Sequence, residues 1–304
     1  MENGNFYRGE SIVSYIPTTN VLLALHNILE QNRTTMPTVI DHRNNNRINS
    51  EGDLLEFFVK DAFCGDSFNH TETFQKEERY RQVFSYLGNS NNPPDFIISR
   101  GPAVEVKKIK GIRPNVIPLN SSHPKDYLYS TDARINVDCR TCEDEYMSWD
   151  KKDMIYAIGN VDGERIYSLW LVYGDCYCAD KYSYERIATT IKDGVNSIPG
   201  IEFAVNTKEL GKINRVDPLG ITYLRVRGMW GISHPSSVFR PYIGTQNSNT
   251  TIYVLMKKET YENIVDKPDF TSYSEVVNLE EVQIPDPNNP ARLMEAILIK
   301  ANIN

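Results

Sequence analysis

Apolar residues recur at helical spacing in two stretches near the start of the chain. Between residues 19 and 30 five apolar positions share one helical face, and Asn20 precedes them as an N-cap. A second helix is predicted to begin at Ser50, with Asp53 three positions later as in an acidic capping box. Its apolar stripe is formed by Leu54, Leu55, Phe58 and Ala62. The Asn-rich run 43–47 between the two helices predicts a loop.

Short apolar runs bounded by turn residues predict strands after these helices. A Gly, Asn and Ser-rich turn at 88–92 precedes two of them, at 95–98 and 103–106. Further strands are predicted at Met154–Ile158 and Arg165–Tyr173, with a turn at 160–164 between them. Residues 184–195 fit another helix. Together these elements predict an α/β fold, a mixed β-sheet flanked by helices.

The chain after residue 200 has a different character, with short strand candidates among many Pro, Asn and Gly residues. The candidates are 221–226, 251–256 and 294–299. We expect one domain over residues 1–304, with its core at about 49–200. Residues 201–304 are expected to be an irregular elaboration of that core.

Two acids and a lysine stand within the first pair of predicted strands. Asp95 follows Pro93 and Pro94 and leads into an apolar run, and Glu105 and Lys107 lie in the next run. Strand alternation places Glu105 and Lys107 on one face of that strand. Carboxylates and carbonyl oxygens are ligands that Mg²⁺ prefers, so Asp95, Glu105 and the Val106 carbonyl could hold this ion. Lys107 could position a water and stabilise charge, which is the chemistry of phosphodiester hydrolysis.

The bare pattern is weakly specific, because strand-end Asp and surface Glu-x-Lys are common. Pro268, Asp269 and Phe270 repeat its start, but Glu275 is followed by valines rather than by a spaced lysine. An additional acid could come from the preceding helix, where Glu51, Asp53 and Glu56 are candidates. Glu56 is preferred because it lies inside the apolar run, although an acid in a first turn also stabilises a helix on its own.

The net charge of −7 is unusual for a nucleic-acid binder, but two local clusters are basic. One follows Glu105 and includes Lys108. The other contains Arg225 and Arg227, which alternate along a predicted strand and could contact guanine, or could form internal ion pairs. Residues 201–304 are therefore expected to be a DNA-recognition elaboration on a catalytic core at about 49–200. The polar loop after the catalytic strand is also suited to phosphate or base contacts, or to turn formation alone. Its candidate residues are Asn120, Ser121, Ser122, His123 and Lys125.

Four of the five cysteines are closely spaced in two pairs. Cys139 and Cys142 form a C-x-x-C pair, and Cys176 and Cys178 form a C-x-C pair. They could make a structural Zn²⁺ site if the fold brings them together, or they could be free thiols. The N-terminus has no secretory pattern and no apolar run is long enough for a membrane span, so we expect a cytoplasmic protein.

At this point the chain resembles a known family. The Pro-Asp…Glu-x-Lys signature is that of the PD-(D/E)XK nuclease superfamily, and the longer strings resemble type II restriction endonucleases, above all a subgroup that cuts GGCC. The resemblance covers about two thirds of the chain and ends near Lys258. The strings that carry it are 85–95, 105–109, 119–125, 139–143, 152–156 and 224–230.

The resemblance implies a Mg²⁺-dependent homodimer from a bacterium or archaeon that cuts both strands of a short palindrome. The products would carry 5′-phosphate and 3′-hydroxyl ends, and a cognate DNA methyltransferase would be the functional partner. By position, Asp95 and Glu105 would bind the metal and Lys107 would be the catalytic lysine. Two alternatives remain open at this level: a structure-specific repair or recombination nuclease, and a non-catalytic DNA-binding protein on the same fold.

Overall fold

The computed structural model describes residues 16–41, 46–47, 50–89, 92–145, 148–199, 202–203, 209–244 and 248–304. Most of the predicted loop at 43–47 lies outside the described residues, as do Ser90 and Asn91 of the predicted turn. Within these ranges the chain forms nine α-helices: α1 (Val21–Glu30), α2 (Glu51–Cys64), α3 (Thr73–Val83), α4 (Val137–Arg140), α5 (Gly174–Tyr177), α6 (Lys181–Asn196), α7 (Pro235–Val238), α8 (Arg240–Ile243) and α9 (Lys258–Asn263).

The same ranges contain sixteen strands: β1 (Ile40–Asp41), β2 (Asn46–Arg47), β3 (Phe84–Tyr86), β4 (Phe96–Ile98), β5 (Ala103–Lys110), β6 (Ile117–Asn120), β7 (Tyr127–Tyr129), β8 (Lys151–Asp162), β9 (Arg165–Tyr173), β10 (Glu202–Phe203), β11 (Gly211–Asn214), β12 (Leu224–Val226), β13 (Trp230–Ile232), β14 (Thr250–Lys257), β15 (Val277–Asp286) and β16 (Asn289–Ile303).

Nine of these strands form one large sheet. Its order is β15-β16-β14-β9-β8-β5-β4-β3, and β7 pairs with β8 beside this path. β5 runs parallel to β8, and β14 runs parallel to β9, whereas the other neighbours are antiparallel. The predicted mixed sheet flanked by helices is therefore confirmed.

Alternate residues of the central strands enter two separate cores. On β9, Leu169 and Leu171 face α1 and α2, while Trp170 and Val172 face the opposite side with α5 and Phe239. Because both faces are covered, β8 and β9 are apolar almost throughout. For the same reason β8 continues to Asp162. Of the turn predicted at 160–164, only residues 163 and 164 lie between β8 and β9.

The sheet holds α2 in place by close packing and by a buried ion pair. A Cβ on Gly159 of β8 would lie 2.7 Å from Leu55 Cδ2, so only glycine lets α2 approach this closely. At the far end of α2, Lys76 Nζ of α3 lies 2.5 Å from Asp61 Oδ2, and Tyr80 donates to Asp61 Oδ1 at 2.7 Å. These contacts fix α2, which carries Glu51, Asp53 and Glu56.

Residues after 200 contribute to the large sheet as well as to smaller structures. β14, β15 and β16 are part of the sheet that carries Asp95 and Glu105. In contrast, β10, β11 and β12 form a separate three-stranded sheet, and β13 pairs with β6. Among the described residues, no helix has the length and apolar character that a bilayer crossing needs.

Candidate active site

Asp95 lies at the start of β4, directly beside the middle of β5. Its backbone N–H donates to the Val104 carbonyl at 3.1 Å, and its Oδ2 accepts from the Val106 N–H at 2.6 Å. Gly88 has φ of +74°, and a Cβ there would lie 2.2 Å from the Asp95 carbonyl oxygen. Glycine is therefore required at this turn, which sets the position of Asp95 against β5.

Glu105 and Lys107 share one face of β5, as strand alternation predicts. Lys107 Nζ lies 2.5 Å from Glu105 Oε1 and donates to the Val106 carbonyl at 3.3 Å. Both side chains are largely buried, with exposed fractions of 13% for Glu105 and 23% for Lys107. The antiparallel pairing of β4 with β5 brings the Asp95 carboxylate to the same place.

The charges of this trio act on one another in a largely buried site. Burial, followed by the negative charge of Glu105, raises the pKa of Asp95 to about 6. Burial alone would lower the pKa of Lys107, but the carboxylates of Glu105 and Asp95 outweigh it and raise that pKa. Two carboxylates held together in this way attract a cation, and one lysine neutralises them only in part.

The donor set fits a magnesium ion. Glu105 Oε2 is buried and has no hydrogen-bond partner among the described residues, and an unpartnered carboxylate oxygen is a ready ligand. With an oxygen of Asp95 and the Val106 carbonyl, it gives the hard oxygen ligands that Mg²⁺ takes together with water and phosphate. Within the described chain, no three His, Cys, Asp or Glu side chains come together into a metal-holding group. The protein would thus supply two carboxylates.

The three helix acids differ in their surroundings. Lys60 binds Glu56 at 2.6 Å, while burial, together with the charge of Asp95, raises the pKa of Glu56. Glu51 instead pairs with Lys108 at 2.7 Å, and this hydrogen bond lowers its pKa. Asp53 is exposed. Of the three, Glu56 is the acid whose charge acts on both Asp95 and Lys107.

The second Pro-Asp-Phe sequence does not form a comparable site. Asp269 is in a loop, where it accepts from the backbone N–H of Thr271 at 2.8 Å. The following residues 271–273 make a single 3₁₀ turn rather than a strand. Apolar strands on both sides therefore distinguish Asp95 from Asp269.

A large cleft contains five of the residues predicted to contact DNA. Its volume is about 860 Å³, and it is lined by the 120–123 loop, Arg134, α6, the segment before β11 and the end of β12. The five predicted residues are Asn120, Ser121, His123, Arg225 and Arg227. His123 also lines a small cavity beside Glu105, together with Ser122. The loop therefore connects the cleft to the trio.

Two lysines predicted to contact DNA have partners within the protein. Lys125 is buried, and its ammonium lies 2.5 Å from Asp132 Oδ2, because the loop folds inward against Tyr156. It therefore does not face the cleft, and we omit it from the proposed interface. Lys108 is on the opposite face of β5 from Lys107, paired with Glu51.

Two cleft residues were not predicted from the sequence. Glu209 lies against both cleft arginines, with its Oε1 at 2.6 Å from Arg225 Nη2 and 2.7 Å from Arg227 Nε. Arg134 donates to Ser121 Oγ at 2.8 Å. Both residues are far from their partners in the sequence, and no local motif marks either of them.

The cysteines do not come together, which corrects the zinc hypothesis. Cys139 and Cys142 lie near β3, where Ser85 Oγ is 3.7 Å from Cys142 Sγ, whereas Cys176 and Cys178 are buried on and after α5. All four are free thiols. Burial raises the pKa of Cys139 and of Cys178 to about 12 in each case, so these thiols stay protonated and act as core residues.

The comparisons with known proteins identify the family of this chain. The model of the NgoPII restriction endonuclease family matches residues 19–285, which extends beyond Lys258, where we expected the resemblance to end. The type II restriction enzyme NgoPII of Neisseria gonorrhoeae is 44% identical over 268 residues, which cover 84% of this chain and 91% of that protein. No solved structure matches this chain. The chain therefore belongs to the NgoPII restriction endonuclease family.

Proposed function

We propose that this protein is a type II restriction endonuclease that hydrolyses double-stranded DNA at a short specific sequence with Mg²⁺ as its cofactor. The observation that carries the proposal is the buried trio of Asp95, Glu105 and Lys107, in which Glu105 Oε2 has no partner in the described chain. The family relationship supports the same activity, since the relative is a type II restriction enzyme.

In the proposed mechanism, Asp95, Glu105 and the Val106 carbonyl would hold Mg²⁺. When bound, the ion supplies Lewis-acid stabilisation of the charge that develops on the phosphate. Lys107 hydrogen-bonds the attacking water and orients it towards phosphorus. Water attack breaks the bond from phosphorus to the 3′ oxygen and leaves 5′-phosphate and 3′-hydroxyl ends. Glu56 adds negative charge beside Asp95 and is proposed as an accessory acid of this site.

DNA is proposed to lie along the cleft. Four of its described lining residues are cationic, Arg134, Lys192, Arg225 and Arg227, although the whole chain has a net charge of −7. Such a local field attracts a polyanion. Arg225 and Arg227 are proposed to contact guanine edges, and Asn120, Ser121, Ser122 and His123 to contact the backbone or bases near the scissile phosphate. Lys108 is retained as a peripheral phosphate contact, provided that it leaves Glu51.

The remaining features follow from the family and are proposed as a set. A palindromic GGCC-like target calls for two identical active sites, hence a homodimer. Residues 1–304 would form one domain per subunit. A cognate DNA methyltransferase would protect the host genome, in the cytoplasm of a bacterium.

Digestion of plasmid DNA tests the proposal. The purified protein with Mg²⁺ should give discrete fragments whose ends map to one short palindrome, and omission of Mg²⁺ should abolish cutting. A smear of fragments would favour a nuclease without sequence specificity. Binding without any cleavage in Mg²⁺ would contradict the proposed activity.

A further inference from the structure

Glu209 is the one carboxylate among the described residues that line the cleft. An acid in a cleft that receives DNA repels the phosphates and weakens binding to every sequence. Glu209 is therefore expected to have a role other than raising the affinity for DNA. The two arginines that it contacts suggest where this role lies.

The carboxylate of Glu209 joins the two guanidinium groups. Arg225 Nε donates to Oε1 at 2.7 Å and to Oε2 at 2.9 Å, and Arg225 Nη2 lies 2.6 Å from Oε1. Arg227 Nε donates to the same Oε1 at 2.7 Å. Arg225 and Arg227 are two positions apart along β12 and its end, so both reach the carboxylate from one face of the strand.

This geometry occupies the Nε edge of each guanidinium group. Because the guanidinium fork is planar and rigid, binding at Nε fixes the direction of the terminal nitrogens. For Arg227, within the described part of the chain, the protein contacts are made through Nε, which leaves Nη1 and Nη2 to bind another group. Two terminal donors in this arrangement match the O6 and N7 acceptors of guanine in the major groove.

We propose that Glu209 is a positioning residue that sets base discrimination, by holding the two arginines so that Nη1 of Arg225 and both terminal nitrogens of Arg227 are left for the DNA. The proposal rests on the proposed function, in which these arginines contact bases. Glu209 itself touches no base. It fixes two flexible side chains before the DNA arrives, so less conformational freedom is lost on specific binding. It also opposes binding to unrelated sequences through its charge.

The exposure of the two arginines argues against a large role in folding. The side chains of Arg225 and Arg227 are 46% and 54% exposed, while that of Glu209 is 13% exposed, and ion pairs with exposed partners contribute little to stability. Replacing Glu209 should therefore leave the fold intact and change DNA binding. Because folding and DNA binding should respond differently, one substitution of Glu209 by an uncharged residue can test the proposal.

The test compares Glu209→Gln with wild type on two short duplexes. One carries the palindrome mapped by plasmid digestion, and the other differs by a single base pair. We expect the ratio of the two dissociation constants to fall by about tenfold in the variant. Affinity for the altered duplex should stay equal or rise, because a negative charge is lost. Glu78→Gln on α3 is the control, since it removes an exposed acid that does not line the cleft, and should leave the ratio unchanged.

A triple variant shows whether Glu209 acts through the arginines. Glu209→Gln added to the double variant Arg225→Gln/Arg227→Gln should discriminate no worse than that double variant, because neither arginine is then left for Glu209 to position. Additive losses would contradict this role. A normal ratio in Glu209→Gln, with a reduced one in Arg227→Gln, would overturn the proposal for Glu209 and leave the cleft as the DNA site. Normal ratios in both Arg225→Gln and Arg227→Gln would instead reject base reading by the cleft arginines.

Discussion

Asp95, Glu105 and Lys107 come from one hairpin, whereas the cleft residues come from separate stretches between Asn120 and Trp230. The hairpin belongs to the nine-stranded sheet, and its side chains are largely buried. The cleft includes a small three-stranded sheet with exposed arginines. Under the proposed function, a rigid sheet would hold the reacting groups, and more exposed structure would carry the groups that read the sequence.

Replacing Lys107 should have the largest effect on the cleavage rate and little effect on DNA binding. Lys107→Ala is expected to reduce the rate of plasmid cleavage by about 10²–10⁴-fold, because the water loses the group that positions it. Binding to the target duplex should change little, since the cleft is untouched. Lys110→Ala, at an exposed position on the same strand, is the control and should cut normally. Equal loss of binding and cleavage in Lys107→Ala would contradict the separation of catalysis in the hairpin from DNA binding in the cleft.

Breaking the buried ion pair between α2 and α3 should destabilise the part of the fold around α2. Both Lys76 and Asp61 are fully buried, so Lys76→Met leaves a carboxylate with one fewer partner in the core. We expect the free energy of unfolding to fall by about 3–5 kcal/mol, measured by urea denaturation. Arg81→Ala removes the exposed partner of Glu77 on the same helix and should change it by about 0.5 kcal/mol or less. Similar effects in the two variants would contradict the rigid anchoring of α2.

Substitutions in the cleft should alter discrimination without altering chemistry. Arg225→Ala or Arg227→Ala should lose about 1–3 kcal/mol of discrimination at one base pair of the target. Lys192→Ala, in the same cleft on α6, should instead weaken binding to all sequences and reduce the salt dependence by about one phosphate contact. Competition binding at several salt concentrations separates the two patterns. A uniform loss in the arginine variants would identify them as phosphate contacts.

A smaller effect concerns the pH dependence of stability, and it arises where α7 packs against the large sheet. His234 is buried before α7, whose Ser236 accepts from Trp170 Nε1 of β9 at 2.8 Å. Burial lowers the pKa of His234 to about 4, against 6.5 for an ordinary histidine. Between these values the unfolded chain binds more protons, so stability should rise with pH from about 4 to about 6.5 and be lost on acidification.

The variant His234→Asn removes this titration and keeps a side chain that can cap α7. Urea denaturation from pH 4 to 7 should then show a flatter pH dependence than in wild type. The difference between the two proteins across this window is expected to be at most about 3 kcal/mol, the equivalent of about two and a half pKa units. Parallel pH curves would mean that His234 is not kept neutral by its packing.

The sequence predicted the trio because its geometry is local. Antiparallel pairing of neighbouring strands places Asp95 beside Val106, and alternation aligns Glu105 with Lys107. The starts of α1 and α2 were predicted equally well from their caps, whereas α3 has a polar sequence without an apolar stripe and was missed. Apolar periodicity reports burial, and α3 is held by a buried ion pair instead.

The rest of the site depends on contacts between distant residues. Glu209 approaches the arginines only because β11 pairs with β12. Lys125 lies in a polar loop, but Asp132 and Tyr156 draw it into the core. The two cysteine pairs are close in sequence within each pair and separate in space between pairs. Tertiary packing determines which residues these side chains contact and how deeply they are buried. The spacing of residues along the chain does not reveal either property.

Asp95, and not Asp269 of the second Pro-Asp-Phe sequence, is proposed to belong to the catalytic centre. The most direct test is plasmid cleavage in Mg²⁺ by Asp95→Asn and Asp269→Asn, each of which removes one charge after a proline. Asn can replace Asp269 in accepting from Thr271, so that variant should keep its fold and wild-type cleavage. We predict that Asp95→Asn gives no specific fragments. Wild-type cleavage by Asp95→Asn would contradict the account.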